Sequence, residues 1–231
     1  MARQPRLSLP GELHHVLWRG HPGQGVFDDA TDRDAFLRML RAALPTAGVA
    51  LHAFVVLPGE VHLLATPTHN GSLGRLMQSL GRRFGADFNR RHARQGAVWD
   101  GRFRNSVLEA ERCLLEATVL LETMPARRGF APQPADWAWS SAGHHLGLAR
   151  EAALTEHPLY WTLGNTPFER ERAHAHLIER GVPDAVADVL ELAVLRSQAV
   201  GNETFLARLS QSTDRPLSPR PRGRPPKSRA A

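Results

Sequence analysis

The order of the apolar segments in the first half of the chain constrains its fold more than any other feature. Residues 13–19 and 49–57 are apolar runs of strand length, and residues 60–66 follow across a Pro-Gly turn as a hairpin partner. Apolar residues recur at helical spacing after a cap at Asp32, and again along residues 72–88. Strands and helices are therefore predicted in the order β-α-β-β-α.

Two further segments extend this pattern. Residues 97–108 predict an extended pair around an Asp-Gly turn, and a helix is predicted from about Glu109 until Pro125 stops it. The resulting order indicates an α+β fold, with a ferredoxin-like antiparallel sheet and helices on one face. Beyond residue 130 the apolar spacing predicts C-terminal helices at about 167–179, 183–197 and 202–210.

Composition divides the chain into a core domain at 1–130, a helical extension at 131–214 and a basic tail at 215–231. The tail holds six Lys and Arg residues and no acid, which equals the net charge of +6 of the whole chain. It lacks the apolar residues needed for a core and is predicted to be disordered. This asymmetry indicates a polyanion partner such as nucleic acid, or else a tail that only improves solubility.

Composition also argues against several classes of protein. There is no run of about eighteen apolar residues and no apolar signal-peptide segment, which predicts a cytoplasmic protein without a membrane partner. Cys113 is the only cysteine, so an internal disulfide and a cysteine-based zinc site are excluded. Nothing in the sequence distinguishes a monomer from a dimer.

Three stretches resemble the REP-associated tyrosine transposases, an IS200-like bacterial branch of the HUH single-strand endonucleases. Residues 9–20 contain LPG, HHV and RG; residues 77–103 contain MQSLGRRF, FNRR and WDGRF; residues 125–141 contain PARRG and WSS. The HPLY segment at 157–160 and the closing RGRP at 222–225 are also typical of this family. The resemblance covers nearly the whole chain. It implies an HUH core and a nucleoid-associated protein that binds single-stranded or hairpin repetitive DNA.

The family's chemistry requires three kinds of residue. A tyrosine attacks a DNA phosphodiester and becomes covalently linked to it, while a divalent metal polarises the phosphate. Two histidines one residue apart on a strand bind the metal, because that spacing places both side chains on one face. A further polar ligand lies four residues after the tyrosine on a helix, again on the same face.

The resemblance places these groups at positions whose residues have changed. Residues 57–64 (LPGEVHLL) keep the second histidine as His62 but have Glu60 at the first. In residues 120–125 (LLETMP), Leu120 occupies the nucleophile position and Met124 the third-ligand position. No residue is therefore predicted to be catalytic. No cofactor is therefore expected, and the alternative is that Glu60 and His62 hold Mg²⁺ or Mn²⁺ weakly.

Other residues of the sequence are candidates to replace the missing groups. Thr123 lies three residues after Leu120 but has no evident base, and Tyr160, the only tyrosine, is expected to be a packing residue. His174 and His176 spell the HUH pattern, but their flanks predict a helix. On a helix, positions i and i+2 point about 200° apart, so the pair is not expected to bind one metal.

The predicted DNA contacts form two groups. Residues 82–104 are rich in arginine with interleaved aromatic residues, which suits phosphate contacts and base stacking. Phe84 and Phe88 are expected in the core, whereas Trp99 and Phe103 are candidates for stacking. The tail motif PRGRP resembles an AT-hook, which lies in the minor groove of A·T-rich duplex DNA. The predicted DNA-binding residues are Arg82, Arg83, Arg90, Arg91, Arg102, Arg104, Arg222, Gly223 and Arg224.

The sequence therefore predicts a transposase-like protein that binds single-stranded or hairpin DNA and has lost catalysis. The alternative is an active, metal-dependent single-strand nickase or transposase that uses a relocated nucleophile. A decayed gene product without a selected function is a third reading. A covalent protein–DNA adduct would distinguish the enzyme from the other two.

Overall fold

The structure is a computed structural model that describes residues 7–21, 23, 25–213 and 217. In this part of the chain a five-stranded sheet has the strand order β2-β3-β1-β4-β5. The first four strands are antiparallel to their neighbours, and β5 pairs with β4 in parallel. The strands are β1 (Leu13–Arg19), β2 (Val49–Val56), β3 (Glu60–Pro67), β4 (Arg104–Leu108) and β5 (Ala199–Val200).

The helices fall into a core set and an extension set. The core helices are α1 (Ala30–Ala47), α2 (Ser72–Arg91) and α3 (Ala110–Arg127). The extension contains α4 (Ala142–His145), α5 (Pro167–Arg180), α6 (Asp184–Arg196), α7 (Glu203–Gln211) and two 3₁₀ turns at Pro134–Asp136 and Pro158–Leu163. The α+β class and the antiparallel central sheet are thus confirmed, and α5, α6 and α7 match the predicted C-terminal helices. Among the described residues, no helix combines the length and apolarity needed to cross a membrane.

The sheet carries an apolar core on each face. On one face α1 and α2 pack against strand residues such as Val16, Phe54 and Leu63. On the other face α3 and α6 pack against residues such as Val55 and Leu64. The core helices therefore occupy both faces, not one as predicted, because both sides of β2 are apolar and each must be covered.

Helix α1 begins earlier than predicted. Asp29, not Asp32, is the N-cap, and its side chain accepts a hydrogen bond from the Asp32 backbone N–H at 2.8 Å. The Asp32 carboxylate in turn accepts from the Asp29 N–H at 3.3 Å, which completes a capping box. Asp32 therefore sits three residues into the helix, where its buried carboxylate also pairs with Arg91 of α2 at 2.5 Å.

The segment before β4 is mostly a loop. Only residues 104–108 form a strand, although 97–108 was predicted to be extended. Trp99 instead turns inward and stacks on Trp18, with 3.9 Å between the ring centroids. Helix α3 also continues through Pro125 to Arg127 instead of ending before the proline. Pro125 removes only the bond from its own position to the Leu121 carbonyl, and the Arg128 N–H still closes the last turn by bonding the Met124 carbonyl at 3.0 Å.

Helix α2 lies close to the sheet at Gly81. A Cβ atom at this position would be 2.7 Å from the Trp18 ring, closer than any normal contact. Trp18 has no room to move, since its indole stacks on Trp99 and its N–H donates to the Gly101 carbonyl at 3.1 Å. The absence of a side chain at residue 81 therefore sets the distance between α2 and β1.

The extension covers the outer edge of β2. The Val56 N–H donates to the Trp139 carbonyl at 2.8 Å, and the Ser141 N–H donates to the Phe54 carbonyl at 3.0 Å. Further along the strand, the Thr155 N–H donates to the Leu51 carbonyl at 2.7 Å. Backbone groups of the extension thus satisfy groups of β2 that would otherwise face solvent.

Candidate functional site

The residues at the family's metal position lie side by side on β3, on the face covered by α3. The two strand positions are separated by one residue, so Glu60 and His62 project from the same side of the sheet. Nε2 of His62 is 2.9 Å from Oε1 of Glu60, and Nδ1 is 2.9 Å from Nε2 of His15 on β1. Both ring nitrogens of His62 are therefore already engaged in hydrogen bonds.

Two arginines form hydrogen bonds with the Glu60 carboxylate. Nε of Arg19, at the end of β1, donates to Oε2 at 2.9 Å. Arg128, which caps the C-terminus of α3, donates to Oε1 through Nη1. Burial alone would raise the pKa of Glu60, but His62 and Arg128 outweigh it and hold the pKa well below its usual range. Glu60 is thus an ionised carboxylate enclosed by cationic and imidazole groups.

This arrangement does not suit a hard divalent cation. Such an ion needs free carboxylate oxygens, whereas both oxygens of Glu60 accept from guanidinium groups. Burial, followed by repulsion from His62, keeps the pKa of His15 well below the usual value, so this ring is neutral and does not offset the charge of the two arginines. A metal at this position would have to displace Arg19 and Arg128 from Glu60.

The positions of the family's nucleophile and third ligand lie in the apolar core. Leu120 has no exposed surface, and Met124 is 1 % exposed. Both belong to the cluster that joins α3 to the sheet, together with Leu13, Val55 and Leu64. Neither side chain offers an atom that could attack a phosphate or hold a hard metal ion.

The candidate substitutes for the missing groups make other contacts. The Thr123 hydroxyl donates to the Val119 carbonyl at 2.8 Å, so it bonds back into its own helix. Tyr160 is buried in the 3₁₀ turn at Pro158–Leu163 and packs against the rings of His145 and His174. His174 and His176 both lie on α5, where His174 is buried and His176 is exposed, as the helical spacing predicts.

The predicted arginines of α2 and the following loop differ in their surroundings. Arg82, Arg83 and Arg102 are exposed and form no ion pair with any residue that the structure describes. By contrast, Arg90 pairs with Asp87 at 2.6 Å, and Arg91 pairs with both Asp87 and Asp32. Arg104 is exposed and donates to the Leu195 carbonyl. Arg91 therefore joins α2 to α1, whereas the first three arginines face solvent.

The aromatic residues of this region are mostly buried. Phe84 and Phe88 lie in the core, as predicted. Trp99 and Phe103 are each 7 % exposed and belong to the same core cluster, so neither projects as a free stacking platform. The apolar spacing of α2 identifies its core residues, but the sequence of the loop contains no comparable periodicity.

A groove beside α2 combines apolar and basic surfaces. It has a volume of about 550 Å³, and we call it the α2 groove. Phe103 contributes to its wall, and Arg82 lies one helical turn beyond the groove residue Gln78. Its lining residues are Trp18, Gly74, Arg75, Met77, Gln78, Gly101, Arg102 and Phe103.

The sequence alone does not indicate the hydrogen-bond partners of Glu60. Arg19 and Arg128 are more than a hundred positions apart, and only the fold brings both to one carboxylate. The predicted tail residues Arg222, Gly223 and Arg224 lie outside the described part of the chain.

Comparisons with known proteins agree with this fold. No protein-family profile matches the sequence, and no curated protein matches it. A solved structure of a REP-associated tyrosine transposase bound to a REP hairpin matches 68 % of this chain and 99 % of its own, with a TM-score of 0.51 and 14 % identity. A Deinococcus radiodurans R1 structure described as a candidate transposase matches 50 % of this chain and 94 % of its own, with 24 % identity. Its TM-score of 0.36 is too low to support an argument. The protein thus has the fold of the hairpin-bound transposase.

Proposed function

We propose that this protein binds single-stranded or hairpin DNA as a relative of the REP-associated tyrosine transposases and does not cleave it. The shared fold supports a transposase-type function, and the solved transposase of that fold is bound to a hairpin. The enclosure of Leu120 in the apolar core is the observation that carries the loss of catalysis.

Three features together remove the transposase reaction. An aliphatic side chain replaces the nucleophile, so a phosphotyrosine cannot form at residue 120. A thioether replaces the polar ligand at Met124. Finally, Arg19 and Arg128 neutralise the carboxylate of Glu60, so the charge that a divalent ion would supply already comes from the protein. Binding of Mg²⁺ or Mn²⁺ at Glu60 and His62 is therefore not part of the proposal.

The α2 groove and its arginines supply the DNA-binding surface in this proposal. The groove is lined by Trp18, Met77 and Phe103, which are largely buried and give it an apolar floor. In this proposal an unpaired base packs against that floor and does not stack on a projecting ring. Exposed Arg82 and Arg102 lie beside it without acidic partners among the described residues, so both guanidinium groups are free to contact phosphates.

A labelled repeat hairpin incubated with the protein and Mg²⁺ or Mn²⁺ tests the two halves of the proposal. A native gel should show a shifted complex, and a denaturing gel should show neither cleaved DNA nor a covalent adduct. A protein-linked DNA end would contradict the loss of catalysis. In that case Tyr160→Phe would show whether the relocated tyrosine is the nucleophile.

Paired variants test the binding surface. Arg82→Ala with Arg102→Ala should weaken hairpin binding and lower its salt dependence by about 0.7–0.9 slope units per lost phosphate contact. The control is Arg172→Ala, since Arg172 is equally exposed but lies on α5, which packs on the other face of the sheet. Equal binding by both variants and the parent protein would exclude the α2 groove as the DNA site.

A further inference from the structure

Three ionisable side chains meet in the interior of the protein, outside the group formed by Glu60 and His62. Glu122 lies on α3, His145 on α4 and His174 on α5. Glu122 and His174 have no exposed surface, and His145 is 4 % exposed. The three residues therefore join the core to two different helices of the extension.

The Glu122 carboxylate lies between the two imidazoles. Oε1 is 2.5 Å from Nδ1 of His145, and Oε2 is 2.6 Å from Nε2 of His174. One potential ligand atom from each residue lies within 4.8 Å of the others. Two ligand atoms of a tetrahedral ion are about 3.3–3.6 Å apart at metal–ligand distances of about 2.0–2.2 Å, so an ion would enter by moving each imidazole about 1 Å back from the carboxylate.

The Glu122 carboxylate is ionised within this cluster. Burial alone would raise the pKa of Glu122, but the two histidines outweigh it and lower the pKa below its usual range, so the carboxylate is ionised. A divalent ion bound by the three residues would take the place of the protons that lie between the two ring nitrogens and this carboxylate.

Two polar atoms at the cluster have unfilled hydrogen-bonding capacity. The Tyr160 hydroxyl and Nδ1 of His174 are buried and have no hydrogen-bond partner among the described residues. The Tyr160 ring packs against both imidazoles, with 4.8 Å and 5.6 Å between ring centroids. Its hydroxyl can therefore bond a water molecule in the adjoining cavity, which Tyr160 and His145 both line.

A small cavity provides access to the cluster. It has a volume of about 50 Å³, is lined by His145 and Tyr160, and also contacts the carboxylates of Glu156 and Glu171. Arg170 lines it as well, so its walls carry charges of both signs. A cavity of this size holds a water molecule beside the cluster.

We propose that Glu122, His145 and His174 form a structural site for a divalent transition-metal ion, with Zn²⁺ as the expected ion. Two imidazole nitrogens and one carboxylate are typical ligands of zinc, whereas magnesium prefers a set of oxygen ligands. The ion joins α3 to α4 and α5, and so attaches the extension to the core. This proposal does not depend on DNA binding.

Metal titration of the full-length protein tests the site. The protein is stripped with a chelator, dialysed and given Zn²⁺ or Co²⁺. We expect one equivalent of metal to remain by mass spectrometry, visible absorption typical of tetrahedral Co²⁺, and a higher unfolding temperature than in the stripped protein. Retention of less than one equivalent, with no shift in unfolding temperature, would mean that the three residues form a metal-free hydrogen-bonded network.

A matched pair of variants on α5 separates this site from surface histidines. His174→Gln should lose the bound equivalent and the Co²⁺ absorption, whereas His176→Gln should keep both, because His176 is exposed two positions further on. Circular dichroism checks that both variants fold. If His174→Gln is unfolded, the proposal is tested by the Co²⁺ absorption and the bound metal per chain in the parent protein and in His176→Gln, which should be the same. Equal loss in both folded variants would assign the metal to the surface and overturn the proposal.

Discussion

At the scale of single residues, Leu120 shows how the loss of a nucleophile is fixed by packing. Its side chain is fully buried among apolar residues of α3 and the sheet. A tyrosine placed there would have to fit a larger ring and a hydroxyl into a space shaped for four aliphatic carbons. Overpacking of this kind costs about 1–3 kcal/mol.

We therefore expect Leu120→Tyr to lower the free energy of unfolding by about 1–3 kcal/mol without restoring DNA cleavage. Urea unfolding measures the first effect and a denaturing gel the second. Leu120→Met, which nearly conserves volume, should cost less than about 1.5 kcal/mol. Cleavage by the tyrosine variant alone would show that neither Glu60 nor Met124 limits the reaction.

His14 predicts a pH dependence of stability. Its Nδ1–H donates to the Glu12 carbonyl at 2.7 Å, and its Nε2 accepts from the Leu9 N–H at 3.2 Å, so both bonds require the neutral ring. Burial lowers the pKa of His14 from 6.5 to about 4. The unfolded chain therefore takes up a proton first, and stability that is complete above pH 6.5 is lost as the pH falls towards 4.

His14→Gln should flatten the fall in unfolding free energy across this interval by about 1.4 kcal/mol per pH unit. The comparison is made by urea unfolding at several pH values. His176→Gln, at an exposed position, should keep the slope of the parent protein. An unchanged slope in His14→Gln would mean that His14 is readily protonated in the folded protein.

At the scale of elements, the strands could be predicted because apolar runs and turn residues lie next to each other in the sequence. The predicted segments 13–19, 49–57 and 60–66 match β1, β2 and β3 to within one residue. The loop before β4 was not predictable in this way. Trp99 turns inward to meet Trp18, a residue eighty positions earlier that no local pattern indicates.

In the candidate site, too, short sequence motifs indicate residues, whereas contacts between distant segments are not indicated. Glu60, His62, Leu120 and Met124 were identified because the resemblance fixes their positions in short motifs. Their environment was not predictable: Arg19 and Arg128 reach Glu60 only when β1, β3 and the end of α3 are assembled. The cluster around Glu122 was missed for the same reason, since its histidines come from two separate helices.

Helix α2 provides a prediction that belongs to an element. Gly81→Ala should lower the free energy of unfolding, because the added methyl group would press on Trp18 and overpacking costs about 1–3 kcal/mol. This exceeds the gain of up to about 1 kcal/mol in helix propensity. Gly85→Ala should instead stabilise the protein, since its Cβ would meet only Val98 at 4.0 Å. Thermal unfolding of both variants measures the difference. Equal shifts in unfolding temperature would contradict a special role for residue 81.

At the scale of the whole molecule, the AT-hook-like motif of the tail predicts a second DNA contact. Arg222→Ala with Arg224→Ala should weaken binding to A·T-rich duplex and reduce its salt dependence by about 0.9 slope units per lost phosphate contact. Filter binding at several salt concentrations measures both quantities. Unchanged affinity and slope would leave the tail with a role in solubility only.

The closure of the sheet has a consequence for assembly. Backbone groups of residues 139–141 and 154–155 occupy the outer edge of β2, and at the opposite edge the Ala199 N–H of the two-residue β5 donates to the Leu217 carbonyl at 3.2 Å. Among the residues that the structure describes, neither border offers a long row of free backbone donors and acceptors to another chain. We therefore expect self-association, where it occurs, to use side-chain surfaces and not a sheet continued from one copy to the next. Removal of the extension would expose β2 and make that edge a site of aggregation.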